Sequence, residues 1–230
     1  MNVTFPEHFT ADQISRITSD DKFIRYVDRL DENFVLGTVS VTGVDWFGKR
    51  PGFIHVFSDV TDTDGNRIPG CGMLRGDGVG ILLVLNLPES ERNPATPFAQ
   101  YTVLVEQGRT PVGETIFEIP AGSLDKGLDP IETALIEIRE EVDNALVFEA
   151  KDLRVLYEGY ASPGGSDELI TIVAVESTVT SQYVQALHGA LTGAADEDES
   201  IRVHVLPLHE LPNKVKDLKS RLAHALFMGK

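Results

Sequence analysis

The sequence predicts an α/β fold in which a mixed sheet lies between helices and is entered from an N-terminal β-rich segment. Three observations carry that prediction. Strand-like segments dominate the first part of the chain, and strands and helices intermix after it. Residues 79–85 form a continuous apolar run, the pattern of a strand buried on both faces. From Asp129 onward, apolar side chains recur at Ile131, Ala134, Leu135, Ile138 and Val142, the spacing of a core-facing helical stripe.

Taken in order, residues 10–30 read as one or two short helices, with Thr10 and Ser19 as candidate N-caps. Residues 34–42 and 53–61 alternate like strands, and Thr61-Asp62-Thr63-Asp64-Gly65-Asn66 carries a hairpin turn signal. Residues 102–105 and 115–119 are further strands, followed by the helix that Asp129 begins. Residues 153–157 and 169–175 read as strands around a Ser-Pro-Gly-Gly loop at 162–165. Residues 182–191 look helical, 194–200 form a short acidic loop, 201–206 a strand, and 215–228 a closing amphipathic helix. No internal repeat interrupts this order. The composition predicts a helical and β-rich segment over residues 1–72, followed by a catalytic domain over 73–230.

A chain of 230 residues suits one catalytic domain with a modest extension. No apolar run approaches the roughly 20 residues of a membrane helix, so no membrane partner is expected. The first ten residues lack a basic region followed by an apolar stretch, which speaks against a secretory signal. A single cysteine, Cys71, forms no disulfide within the chain and suits a reducing compartment. It has no histidine nearby in sequence and reads as buried, not nucleophilic. Cytoplasm is the expected location, or an organelle if a transit peptide has been removed. The formal charge of −16 argues against a nucleic-acid partner, because such binding rests on Lys and Arg neutralising phosphates.

The chemically informative stretch is Pro120-Ala121-Gly122 followed by Ile136-Glu137-Ile138-Arg139-Glu140-Glu141, with three carboxylates within five residues. Asp129 suits the N-cap, Pro130 the first helical position, and Glu132 the site a capping box needs. At about 100° per residue, Glu140 and Glu141 fall about 60° and 40° either side of Glu137. All three are therefore expected on one arc, away from the buried stripe, with no Lys or Arg there to offset their repulsion. A hard divalent cation relieves it, since Mg²⁺ favours carboxylate oxygens together with water and phosphates. The alternative is a solvated acidic face on an acidic protein; the preceding Pro-Ala-Gly loop favours the cation.

Residues 122–144 resemble the Nudix box, the signature of the Nudix hydrolases, G-x5-E-x7-R-E-U-x-E-E-x-G-U with U aliphatic. Gly122, Ile138, Glu137, Glu140 and Glu141 match it, whereas Leu128, Ile136, Asp143 and Asn144 depart from it. In the family, the Glu and Arg at the first two departures pair and brace the loop against the helix. Here both are apolar, and replacing both members of an ion pair can be neutral or stabilising where losing one is costly. Asn144 is compatible with a left-handed helix end. Further stretches are similar to ADP-ribose and ADP-sugar diphosphatases: Val105-Glu106-Gln107-Gly108-Arg109, Phe117-Glu118-Ile119-Pro120-Ala121-Gly122, Tyr160-Ala161-Ser162-Pro163-Gly164-Gly165-Ser166-Asp167-Glu168, and the acidic loop and strand over 197–205. Val44-Asp45-Trp46-Phe47-Gly48-Lys49-Arg50 and Leu74-Arg75-Gly76-Asp77 look like the plant branch of that group. The resemblance covers roughly residues 35 to 210.

The resemblance implies a Nudix fold, an α/β/α sandwich around a mixed sheet with an N-terminal β-rich extension. It also implies Mg²⁺-dependent hydrolysis of a nucleoside diphosphate-sugar, ADP-ribose or ADP-glucose, to AMP and sugar phosphate, with Mn²⁺ as a substitute cation. The ligands would be Glu137, Glu141, Glu140 and the Ala121 carbonyl. The cation would also reconcile an anionic protein with an anionic substrate. Glu168, after a loop able to close over substrate, would be the general base or orient the water, with Glu140 as a second catalytic acid; the alternative for Glu168 is a loop-end carboxylate preceding a strand. Glu199 is either an extra metal contact or a solvated acid. Trp46 and Phe47 either stack on the base or pack the N-terminal sheet. Arg75 and Arg109 are candidate phosphate contacts, and Arg109 suits a salt bridge as well. In the resembling diphosphatases the N-terminal segment builds a homodimer. Two alternatives stand beside this reading: a UDP-sugar diphosphatase, and a non-catalytic nucleotide sensor of the same fold.

Other motifs fail. The Gly-Asp-Gly-Val-Gly run at 76–80 precedes a strand where a dinucleotide fingerprint would open a helix. Six histidines show no zinc spacing. Ser162 lacks the G-x-S-x-G frame of a serine hydrolase.

Overall fold

The computed structural model describes residues 2–68, 70–124, 127–193 and 201–229, and at Leu36 the backbone only. The chain divides into two compact units, one of Met1–Asp77 with Tyr160–Leu169, the other of Gly78–Gly159 with Ile170–Lys230.

The first unit holds β1 (Asn2–Thr4), α1 (Ala11–Thr18), α2 (Asp21–Asn33), β2 (Val35–Phe47), β3 (Arg50–Thr61), β4 (Arg67–Ile68) and β5 (Cys71–Leu74). Thr10 caps α1 through a reciprocal capping box with Gln13. The second helix is capped by Asp20, whose carboxylate accepts from the Lys22 N–H, and not by Ser19. Ser19 cannot serve because its backbone, at φ −96° and ψ 0°, already ends α1. The sheet runs β1-β2-β3-β4, with β5 also on β3. β2 and β3 extend well past the predicted strands into one long hairpin. Register shifts at Leu36/Thr38, Val41/Gly43 and Asp45/Trp46 break the two-residue alternation there, which hides the strand in the sequence. The hairpin reverses at Gly48, whose φ of +61° lies in the left-handed region. The predicted turn after β3 forms as expected, with Asp62 Oδ1 accepting from the amides of Asp64 and Asn66 at 3.0 and 2.8 Å. Ile17, Phe23, Val39, Ile54, Val56 and Leu74 make the core of this unit. Cys71 is exposed, contrary to the sequence expectation. It sits opposite Phe57, itself an outward-facing residue of β3.

The second unit holds β6 (Gly78–Asn86), β7 (Gln100–Arg109), β8 (Glu114–Glu118), β9 (Ala121–Ser123), α3 (Pro130–Glu137), β10 (Arg154–Tyr160), β11 (Leu169–Thr178), α4 (Ser181–Leu187), β12 (Leu191–Thr192), β13 (Ile201–Pro207), α5 (Leu211–Lys214) and α6 (Leu218–Phe227). Its sheet runs β10-β11-β6-β7-β13-β12, with β8 also on β7 and β9 on β6. β6 is parallel to β11 and antiparallel to β7, so the sheet is mixed, as predicted. β6 is buried on both faces. Ile81, Leu83 and Leu85 pack with Ala134 of α3 and Val184 of α4. Leu82 and Val84 pack on the other side with Leu211 of α5 and Ala223 of α6. The unit is therefore an α/β/α sandwich.

The start of α3 follows its sequence. Asp129 caps it, Glu132 closes the capping box and Pro130 takes the first turn. Its end does not. The α-helix stops at Glu137, and Ile138–Val142 wind as a π-helix. The Asp143 N–H closes that turn on the Ile138 carbonyl at 3.0 Å, five residues back. Asp143 then leaves in extended conformation at φ −165°. Two later helices are also shorter than predicted. α4 stops at Leu187, because His188 is extended and Gly189 has a φ of +88°. α6 starts only at Leu218, where the Asp217 carboxylate accepts from the Ser220 N–H at 2.9 Å. Among the described residues no helix is long and apolar enough to cross a membrane.

Two substitutions test these assignments in urea unfolding. Ile81→Ala is expected to cost about 3 kcal/mol, as a fully buried side chain lost from the central strand. Asp129→Ala is expected to cost about 1 kcal/mol through loss of the cap.

Candidate active site

The site grows from the loop between β8 and β9. The Pro120 carbonyl accepts from the Ile81 N–H at 2.8 Å, and Ala121 and Gly122 continue along β6 opposite Gly80 and Val79. The loop is thereby held as an extra antiparallel edge on the most buried strand. The side chain of Glu137 lies directly over Gly122. A Cβ on Gly122 would stand 1.6 Å from Glu137 Oε1 and 2.2 Å from its Cδ. Glycine is required there for space, not for an unusual backbone.

Glu141 reaches the same loop from one turn further on. It is only 4% exposed. Its Oε2 accepts from the Ala121 N–H at 2.9 Å, and its Oε1 from Gln107 Nε2 at 2.8 Å. This corrects the expected shared arc: Glu141 is buried, Glu137 half-buried and Glu140 exposed. The π turn explains the difference, because a wider turn rotates the last residues relative to an α-helical count. Both carbonyls at the end of the turn are engaged. That of Glu141 accepts from Thr192 Oγ1 at 2.6 Å, and that of Glu140 from the Gly193 N–H at 3.1 Å.

Gln107, which holds the Glu141 carboxylate, is the residue of the candidate site that sequence reading passed over. Its signal was available, since it continues the alternation of Val103 and Val105 along β7 and is a polar side chain on a buried register. Arg109, two residues on, places Nε 2.6 Å from Oε1 of the buried Glu118, which also receives the Lys219 ammonium. The salt bridge foreseen for Arg109 is therefore present.

Of the remaining candidates, Arg75, Phe47, Trp46 and Glu168 lie in the first unit. Arg75 Nε stands 3.1 Å from Glu168 Oε1, and the Arg75 guanidinium lies 5.5 Å from the Phe53 ring centre. Phe47 meets the same Phe53 ring edge-on at 5.2 Å and is 50% exposed. Trp46 is half-buried and packs against the core of the first unit. The Ser-Pro-Gly-Gly loop is tied to β5: the Gly165 carbonyl accepts from the Met73 N–H at 2.9 Å, and Asp167 Oδ1 from the Arg75 N–H at 2.7 Å. Glu168 is held at both ends of its own backbone, its N–H on Ser166 Oγ and its carbonyl on the Ala161 N–H. Glu199, with the rest of the acidic loop at 194–200, lies outside the described residues.

The donors at the Ala121–Gly122 loop fit a hard divalent cation. Two carboxylates meet the loop there, both oxygen donors of the kind Mg²⁺ prefers. Among the described residues no three His, Cys, Asp or Glu side chains form a group that could hold a metal ion. Mg²⁺ does not need one, since it is usually held by one or two carboxylates with water and substrate phosphates completing its shell.

Gly122→Ala separates fold from site. The atoms it would strike belong to the outer part of a flexible side chain. The variant is expected to stay within about 1 kcal/mol of the parent in urea unfolding, while its Mn²⁺ affinity, read by electron paramagnetic resonance, falls about tenfold.

Comparison with known proteins bears on this arrangement. No family model matches the chain. It is 35% identical over 207 residues to Nudix hydrolase 14, chloroplastic, of Arabidopsis thaliana, covering 86% of this chain and 64% of that protein. It is 35% identical over 108 residues to the ADP-ribose pyrophosphatase of Bacillus subtilis (strain 168), covering 47% of this chain and 52% of that one. It is 35% identical over 115 residues to the methanol dehydrogenase activator of Bacillus methanolicus, covering 50% and 56%. The chain thus spans between about half and two thirds of the length of the curated relatives it matches. A solved structure described as an ADP compounds hydrolase shares the fold, with a TM-score of 0.58 at 15% identity, covering 86% of this chain and 93% of that one. In the loop, the acidic turn and the sequence over most of its length, the chain is similar to a Nudix hydrolase, and it shares the fold of an ADP compounds hydrolase.

Proposed function

We propose that this protein hydrolyses the diphosphate of an ADP-linked sugar, ADP-ribose or ADP-glucose, to AMP and sugar phosphate, with Mg²⁺ or Mn²⁺ as cofactor. The observation that carries the reading is the meeting of Glu137 and Glu141 at one short loop, one packed over Gly122 and the other bonded to the Ala121 amide. The names of the Bacillus subtilis relative and of the solved ADP compounds hydrolase support the substrate class.

Glu137, Glu141, Glu140 and the Ala121 carbonyl would hold the cation. When bound, it supplies charge neutralisation for the diphosphate and makes water more acidic. The chain's own residues do the rest. Gln107 and the Ala121 amide orient the Glu141 carboxylate, so that it need not reorganise as substrate arrives. Glu168, oriented by Arg75, accepts the proton of the attacking water. The water oxygen bonds to one phosphorus and the bridging P–O bond breaks, releasing AMP and sugar phosphate. Arg75 and Arg109 contact phosphate oxygens, each from an ion pair that limits its rotamer freedom. Phe47 offers the more exposed ring for the adenine face, with Trp46 behind it in the packing. We further propose a homodimer built through residues 1–72, a catalytic domain over 73–230, and a reducing compartment, cytoplasm or organelle, as the working location.

The test is a panel of ADP-ribose, ADP-glucose and UDP-glucose with Mg²⁺, with products resolved by chromatography. AMP with sugar phosphate is expected, lost on chelation and reduced about a hundredfold in Glu141→Gln. UMP alone would move the substrate to the UDP-sugars. Tight binding with no nucleoside monophosphate released would make the chain a sensor.

A further inference from the structure

We infer that Tyr183 is a positioning residue for the acidic turn: its hydroxyl holds Asp143, and through it the π register that places Glu140 and Glu141. The inference rests on the reading above, in which those glutamates serve a divalent cation.

The end of the acidic turn is an unusual piece of backbone. A glycine at 143 would let the chain leave the helix in the left-handed conformation and satisfy the last carbonyls locally. Asp143 leaves extended instead, so those carbonyls need partners from elsewhere. They come from one segment, α4 through β12. Thr192 Oγ1 takes the Glu141 carbonyl at 2.6 Å, and the Gly193 N–H takes that of Glu140 at 3.1 Å. The third contact is a side-chain pair, Tyr183 Oη donating to Asp143 Oδ2 at 2.8 Å. The other carboxylate oxygen of Asp143 accepts from the Ala145 N–H at 2.9 Å, so both oxygens are committed.

Tyr183 is a rigid strut. It lies in the first turn of α4, where its own N–H donates to the N-cap Thr180 at 3.2 Å, and its ring packs against the core that Ala134 and Ile138 share. Burial, and the neighbouring Asp143 carboxylate, hold its phenol proton well above the ordinary range, so the donor is present at every physiological pH. The strut matters because a π turn carries one residue more per hydrogen-bonded ring than an α turn. Relaxation to the α register would rotate Glu141 away from Gln107 and the Ala121 amide. Fixing Asp143 opposes that rotation at the residue where the π bond closes.

The test compares four full-length proteins: the parent, Tyr183→Phe, Asp143→Gly and the double variant. Mn²⁺ affinity is read by electron paramagnetic resonance, and amide hydrogen exchange at Asp143 and Gly193 is read without metal. Tyr183→Phe is expected to weaken Mn²⁺ about tenfold and to speed exchange at both amides, with the melting temperature little changed. In the Asp143→Gly background the hydroxyl has nothing left to hold, so Tyr183→Phe is expected to add no further loss. Unchanged Mn²⁺ affinity in Tyr183→Phe, or an equal loss in both backgrounds, overturns the strut and leaves the metal reading standing. A parent that binds no Mn²⁺ overturns both.

Discussion

The interaction on which the rest depends is the burial of the Glu141 carboxylate against the Ala121 amide. A carboxylate removed from water is costly unless it is held by donors. Gln107 and Ala121 provide those donors from β7 and β9, two strands of one sheet. Through this bond the acidic turn, the loop and the sheet share one rigid frame. The Pro120 carbonyl on Ile81 ties the loop to the most buried strand of the unit.

That frame also explains the demand for space at Gly122. With Glu141 fixing the height of the turn over the loop, Glu137 lies where a Cβ on Gly122 would be. The acidic excess of the chain then makes sense locally. Carboxylates are drawn together at one edge by backbone amides and steric fit, against their mutual repulsion. An arrangement of that kind is stabilised by a cation and by the phosphates a cation brings.

The first unit follows a different logic. There the charged groups are paired side chain to side chain, Arg75 with Glu168 and Arg25 with Asp77, and the aromatic pair Phe47 and Phe53 lies beside Arg75. The segment 160–169, remote in sequence, belongs to this unit, where the Met73 and Arg75 amides donate to its Gly165 carbonyl and Asp167 carboxylate. Its Pro-Gly-Gly composition reads as a loop, but a loop's docking partner is set by main-chain hydrogen bonds that composition does not encode.

Much of the scaffold was legible because it depends on short-range physics. The capping box at Asp129 and Glu132, the Asp62 turn, and the two-faced burial of β6 all follow from residue type and spacing within a few positions. Sequence likewise singled out Glu137 and Glu141 beside Pro120-Ala121-Gly122, residues the fold brings together. What the tertiary structure alone decided was the rotation of those acids. The π turn, the burial of Glu141, the part played by Gln107 and the grip of α4 and β12 on the turn's end all arise from partners far along the chain. Helical periodicity assumes a uniform turn, and only long-range hydrogen bonds can make a non-uniform one the stable choice.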